Sequence, residues 1–145
     1  MASRAHYRAK GIDFNAQKTS TPTKTGFPEY EVSKLANVLF TKSLAERLEG
    51  TGVTTYSLHP GVVASDIWRK VPGPLQWVIK QFMITNEEGA QTSLHCALSD
   101  EAADQTGLYY DKSKPVKPSR IARDDGLAAQ LWAKSVEWTD AEWTI

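Results

Sequence analysis

From Pro28 to Gly50 apolar residues return every three or four positions, at Val32, Leu35, Ala36, Leu39, Phe40, Leu44 and Leu48. That period lays one stripe along a helix. Pro28 suits a first helical position, where the missing N–H has no partner to lose, and Gly50 and Gly52 end the segment. Val53 to Leu58 is short and rich in β-branched and aromatic residues, which predicts a strand punctuated by His59-Pro60-Gly61. A second helix is predicted from Thr85, where Thr85-Asn86-Glu87-Glu88 has the form of a capping box, through Ala90, Leu94, Ala97 and Leu98 to about Asp100. Gly107 to Tyr110 reads as a second strand. Asp124 to Trp138 reads as a terminal amphipathic helix that buries Leu127, Leu131 and Val136. Two stretches have no period. Met1 to Phe27 is polar and is expected to be a long surface loop, and Val62 to Ile84 is irregular. There is no internal repeat.

Helix, strand, excursion, helix and strand in that order make an α/β wind with a parallel strand pair. The expected fold class is α/β, the C-terminal half of a Rossmann-type doubly wound parallel sheet. A six-stranded dinucleotide-binding sheet needs five crossovers of roughly 30 residues each. The chain has 145 residues, two clear strands and no G-x-G-x-x-G. The cofactor half is therefore expected to be missing, with residues 1–145 forming one partial domain.

Composition narrows the function. Seventeen basic and 17 acidic residues cancel, so no net field draws the chain toward nucleic acid or an anionic membrane, and the basic residues read as scattered rather than striped. Cys96 is the only cysteine, which excludes an internal disulfide and a cysteine-based zinc site. His6, His59 and His95 lack metal-ligand spacing, so no metal site is expected. The longest apolar stretch, Val71 to Ile84, is broken by Pro72, Pro74, Gln76, Lys80 and Gln81 and cannot span a bilayer. With no basic-then-apolar leader, the expected location is cytoplasmic; membrane anchoring through a missing N-terminus stays open.

Tyr30 and Lys34 stand at i and i+4 near the start of the first helix, on one face. A phenol of pKa about 10 exchanges protons poorly at neutral pH, and a neighbouring cation stabilises its phenolate. Such a tyrosine can protonate a carbonyl oxygen, or deprotonate an alcohol, while hydride moves at carbon. A solvated helix pair is the plain alternative, and Tyr110 and Lys114 repeat the pattern without sharing a helix. Pro60-Gly61 lies at a strand's C-terminal end, where open α/β sheets bind ligands, although taken alone the pair reads first as a simple turn.

Three strings carry more information than these pairs. Tyr30-Glu31-Val32-Ser33-Lys34-Leu35-Ala36-Asn37-Val38-Leu39-Phe40-Thr41, Gly52-Val53-Thr54-Thr55-Tyr56-Ser57-Leu58-His59-Pro60-Gly61 and Gly89-Ala90-Gln91-Thr92-Ser93-Leu94-His95 together resemble the short-chain dehydrogenase/reductase family, in its retinol dehydrogenase branch. The resemblance runs over nearly the whole chain. It implies an oxidoreductase exchanging hydride between NADP or NAD and a small apolar alcohol or carbonyl compound, and it leans to NADP. Tyr30 would be the acid/base, Lys34 would tune it and hold the nicotinamide ribose, and Ser3 would hydrogen-bond the substrate oxygen. Pro60, Gly61, Val62 and Val63 would line the nicotinamide, with Ser65 near its carboxamide. Trp68, Trp77, Phe82 and Met83 would form the substrate loop, a role that core packing rivals. Helix 28–49 would serve a homo-oligomer. The glycine-rich phosphate loop, the residues that choose NAD or NADP and the family's upstream asparagine have no counterpart, so the chain alone is expected to be inactive. The alternative is a non-catalytic fragment or isoform that acts through association with a partner.

Overall fold

The computed structural model describes residues 1–16, 19–62 and 84–141. A 3-10 turn, Arg4–Tyr7, comes first. It is followed by α1 (Phe27–Arg47), β1 (Tyr56–His59), α2 (Asn86–Leu98), α3 (Asp100–Ala103), β2 (Leu108–Asp111), β3 (Lys114–Pro115), a second 3-10 turn (Ile121–Arg123) and α4 (Asp125–Thr139). β1 and β2 run parallel, with Tyr56 opposite Leu108 and His59 opposite Asp111. β3 returns antiparallel along β2, which makes the three-stranded sheet mixed, in the order β1-β2-β3.

The helices form where the sequence places them, with shifted ends. α1 starts beneath Gly26, whose backbone is left-handed at φ 67°, and carries Pro28 in its first turn. Thr23 anchors that entry, since its N–H and hydroxyl both donate to the Glu29 carboxylate, the hydroxyl at 2.6 Å. α2 carries the expected capping box: Glu88 N–H donates to Thr85 Oγ1 and Thr85 N–H to Glu88 Oε2. It ends at Leu98 rather than Asp100, because Ser99 is extended and caps the separate turn of α3. β1 is shorter than predicted, with Val53 and Thr54 exposed before it.

Leu35, Val38, Leu39, Tyr109, Ala128 and Leu131 form one apolar cluster between α1, β2 and α4. α4 buries Ala128, Leu131 and Trp132, while the predicted Leu127 and Val136 are only half-buried. Trp132 explains the difference: it stacks on Phe40 at 5.2 Å and receives the Arg47 guanidinium over its ring at 4.1 Å.

The predicted loop over residues 1–27 needs a larger correction. Ala2, Ser3, His6 and Ala9 are buried. Ala2 N–H donates to Leu58 O at 2.9 Å, which lays the segment beside β1. Its polar residues bond to chain more than a hundred positions away, so local polarity gave no sign of burial. Arg4 Nε pairs with Asp111 Oδ2 at 2.5 Å, Tyr7 hydroxyl donates to Lys117 O at 2.7 Å, and Ser119 N–H donates to His6 Nε2 at 3.2 Å.

Candidate active site

β1 ends at His59, and Pro60 follows with no N–H to continue a ladder. Around this point a cleft of about 730 Å³ opens. Ser3, Tyr30, Pro60, Gly61 and Val62 line it, so five of the residues singled out in the sequence meet in one place. It sits at the C-terminal end of the parallel pair, between the first turn of α1 and the flank of α2.

Tyr30 is 41% exposed, so its ring is open to an incoming molecule. The first turn holds its backbone: Tyr30 N–H donates to Gly26 O, and Ser33 hydroxyl donates to Tyr30 O. One helical turn on, Lys34 Nζ lies 5.1 Å from the centre of the Tyr30 ring. The pair predicted from i, i+4 spacing is therefore adjacent in space, with the cation over the aromatic face. The second match separates. Tyr110 is fully buried and donates to Gln105 Oε1 at 2.6 Å, whereas Lys114 is exposed on β3.

Ser3 is buried and caps the 3-10 turn, its Oγ accepting from Ala5 N–H at 3.2 Å. That bond uses a lone pair and leaves the hydroxyl proton free to donate. Gly61 has φ +94°, a conformation that favours glycine, but the room beside it is already filled. A Cβ there would lie 2.3 Å from Ile84 Cδ1. The left-handed backbone therefore favours glycine, and any side chain would also have to push the tip of Ile84 aside. Val63, Ser65, Trp68, Trp77, Phe82 and Met83 lie outside the described residues.

α2 supplies a wall that the sequence reading missed. Gly89, Ser93 and Ala97, spaced by four, line the cleft together with Ala90 and Leu94. Small residues at that spacing mark a helix face that leaves room beside it. His59, read as punctuation, also lines the cleft; it is 7% exposed, and its Nδ1 has no hydrogen-bond partner among the described residues.

Two imidazoles, His6 in the first 3-10 turn and His59 in the cleft wall, set the fold's response to acid. His6 is fully buried, with Nδ1 2.7 Å from Ser3 O and Nε2 accepting from Ser119, so the ring is neutral. Burial pushes its pKa down, and the bond to Ser3 O only partly offsets this. Burial also lowers His59, Asp111 opposes that shift, and Arg4 and His6 add to it. A histidine depressed in the fold keeps its contribution to stability above the unfolded pKa and loses it as pH falls below that value. Stability is therefore expected to decline below pH 6.5, the ordinary histidine value. Urea midpoints taken across that value check this, and a midpoint that does not move would mean that both rings charge without penalty.

Among the described residues no group of histidine, cysteine and carboxylate side chains is arranged to hold a metal, and no helix is long and apolar enough to cross a membrane.

Comparison with known proteins supplies the family. Human retinol dehydrogenase 12 is 43% identical over 145 residues, covering 99% of this chain and 45% of its own length. This chain belongs to the short-chain dehydrogenase/reductase family, in its retinol dehydrogenase-like branch. Human retinol dehydrogenase 11 is 43% identical over 107 residues, 72% of the chain and 34% of that relative. A crystal structure of an uncharacterized protein from Mycobacterium paratuberculosis superposes with a TM-score of 0.71 at 27% identity, covering 99% of this chain and 50% of that one. The chain thus spans less than half the length of these curated retinol dehydrogenases. No family model matches it.

Proposed function

We propose that this chain carries the catalytic residues of an NAD(P)-dependent oxidoreductase acting on an apolar alcohol or carbonyl compound. The observation that supports the reading most directly is the convergence of Tyr30, Ser3 and the Pro60-Gly61-Val62 turn on one cleft, with Lys34 against the Tyr30 ring. In this reading Tyr30 moves a proton at the substrate oxygen. The Lys34 ammonium lies against the ring that carries this hydroxyl. The free Ser3 proton donates to the same oxygen and stabilises the charge that develops there.

The cleft suits the nicotinamide end of the cofactor, with an exposed phenol on one side and a short, mostly apolar turn on the other. Tyr30, Lys34, Pro60 and Val62 would hold that end, and Val63 and Ser65 would continue the wall. When bound, the cofactor supplies or accepts the hydride. The sequence contains no G-x-G-x-x-G, the motif that would cradle the adenosine diphosphate end. Trp68, Trp77, Phe82 and Met83 are assigned to the substrate side, as apolar groups suited to an apolar ligand.

Two measurements test the reading. By titration calorimetry, the chain alone is expected to bind neither NADP nor NAD saturably, and micromolar affinity would mean that it holds its own phosphate site. Joined to the dinucleotide-binding half of a retinol dehydrogenase, it is expected to interconvert an apolar alcohol and its aldehyde. A hybrid that binds cofactor yet turns nothing over would sink the proposal.

A further inference from the structure

Ser3 reaches the cleft from a segment with little structure of its own, an extended start followed by a single 3-10 turn. Its hydroxyl has a fixed place only if its backbone is fixed. On the N-terminal side, Ala2 N–H donates to Leu58 O, and Asn37 Nδ2 donates to Met1 O at 2.8 Å. On the C-terminal side the Ser3 carbonyl meets His6. It accepts from the His6 backbone N–H at 3.2 Å and lies 2.7 Å from ring Nδ1. We propose that His6 is a positioning residue, a rigid strut that sets the place of the Ser3 hydroxyl by tying the Ser3 carbonyl to Ser119.

The two partners leave one arrangement of the ring. A backbone N–H can only donate, so Nε2, 3.2 Å from Ser119 N, carries the lone pair. The proton is then on Nδ1, facing a carbonyl oxygen that can only accept. A neutral imidazole presents that donor and that acceptor from one flat ring, and burial, which lowers its pKa, keeps it neutral. The faces of the ring are occupied as well. The Tyr7 ring lies 4.0 Å away, and the Tyr109 ring meets it edge-on at 4.7 Å. With His6 fully buried, water does not compete for either bond.

The other ties of this segment are nearer the surface and do not touch Ser3. The Arg4 side chain, paired with Asp111, is 54% exposed, and Tyr7, bonded to Lys117 O, is 45% exposed. Among the described residues only His6 joins Ser3 itself to the chain beyond β3. Filling the space between Tyr7 and Tyr109 would ask only for a flat ring, which a phenylalanine also supplies. The use of both ring nitrogens goes beyond that need. That the Ser3 hydroxyl meets a substrate oxygen rests on the oxidoreductase reading; the geometry of the strut does not.

The purified chain tests the strut without turnover. Nitrogen-15 NMR at neutral pH is expected to show the His6 ring protonated on Nδ1 and bare on Nε2, and the reverse tautomer overturns the proposal. Two variants then separate the bonds. The amide of asparagine branches at Cγ, as Nδ1 does, whereas that of glutamine lies one atom further out, as Nε2 does. His6→Asn therefore keeps a donor for Ser3 O, and His6→Gln keeps an acceptor for Ser119. In the chain, the Ser3 amide signal is expected to move in His6→Gln and to stay in His6→Asn. In the hybrid enzyme, Ser3→Ala is expected to lower kcat by about 10²- to 10³-fold, as loss of one donor to developing charge does. His6→Gln is expected to lower it by about 10- to 10²-fold through misplacement of that donor, and His6→Asn by much less. Because His6 acts through the serine, His6→Gln is expected to slow Ser3→Ala no further. Equal losses in the two His6 variants, following their urea midpoints, or losses that add to that of Ser3→Ala overturn the proposal and leave the oxidoreductase reading standing. A hybrid indifferent to Ser3→Ala instead removes the serine from that reading, and the Ser3 signal in the chain still decides the strut. Should either variant fail to fold by circular dichroism, the tautomer in the parent chain decides it.

Discussion

Tyr30→Phe is expected to lower kcat by about 10²- to 10⁴-fold in the hybrid enzyme, the range set by loss of a positioned acid/base group. The substitution removes one hydroxyl. The aromatic ring, and with it the Lys34 ammonium 5.1 Å from its centre, stays in place. Because Tyr30 is 41% exposed, no buried hydrogen bond is broken and the helix start is undisturbed. Cofactor affinity, measured by calorimetry on the same variant, is expected to remain close to that of the parent. An unchanged kcat would remove Tyr30 from its assigned role. A loss of affinity equal to the loss of rate would make it a binding group only.

Leu39→Ala is expected to destabilise the fold by about 2–5 kcal/mol, the range for emptying a filled core position. Leu39 has no exposed surface and lies in the cluster that joins α1 to Tyr109 and Leu131. Three elements meet there, so collapse around the missing atoms would require α1 to move against both sheet and α4. Urea denaturation checks the value through a lower midpoint at unchanged slope. A change below about 1 kcal/mol would mean that the site relaxes like a surface position.

The parts of the fold legible in the sequence are those with a local cause. The stripe from Val32 to Leu48, the capping box at Thr85 and the β-branched run before His59 each fix an element by interactions within a few residues. Tyr30 and Lys34 were legible for the same reason, since four positions on a helix is a distance in space. β3 left no such mark. Its turn has left-handed backbone at Lys112 and Ser113, where a glycine or asparagine would have announced a tight hairpin. His6 was illegible because its two partners, Ser3 O and Ser119 N–H, come together only in the completed fold. The cleft wall from α2 was available as small residues spaced by four. It went unread because a stripe of small residues has no apolar period to draw notice.

The three bonds that tie the first 3-10 turn to Asp111, Lys117 and Ser119 span 107, 110 and 113 positions. Closing loops of that size costs entropy that only many later contacts can repay. Ser3 sits inside the segment so fastened, and it therefore comes to rest only after β2 and the chain beyond it have docked. The hydroxyl proposed to meet the substrate oxygen precedes β1, β2 and β3 in the chain, yet it takes its position only after they have paired.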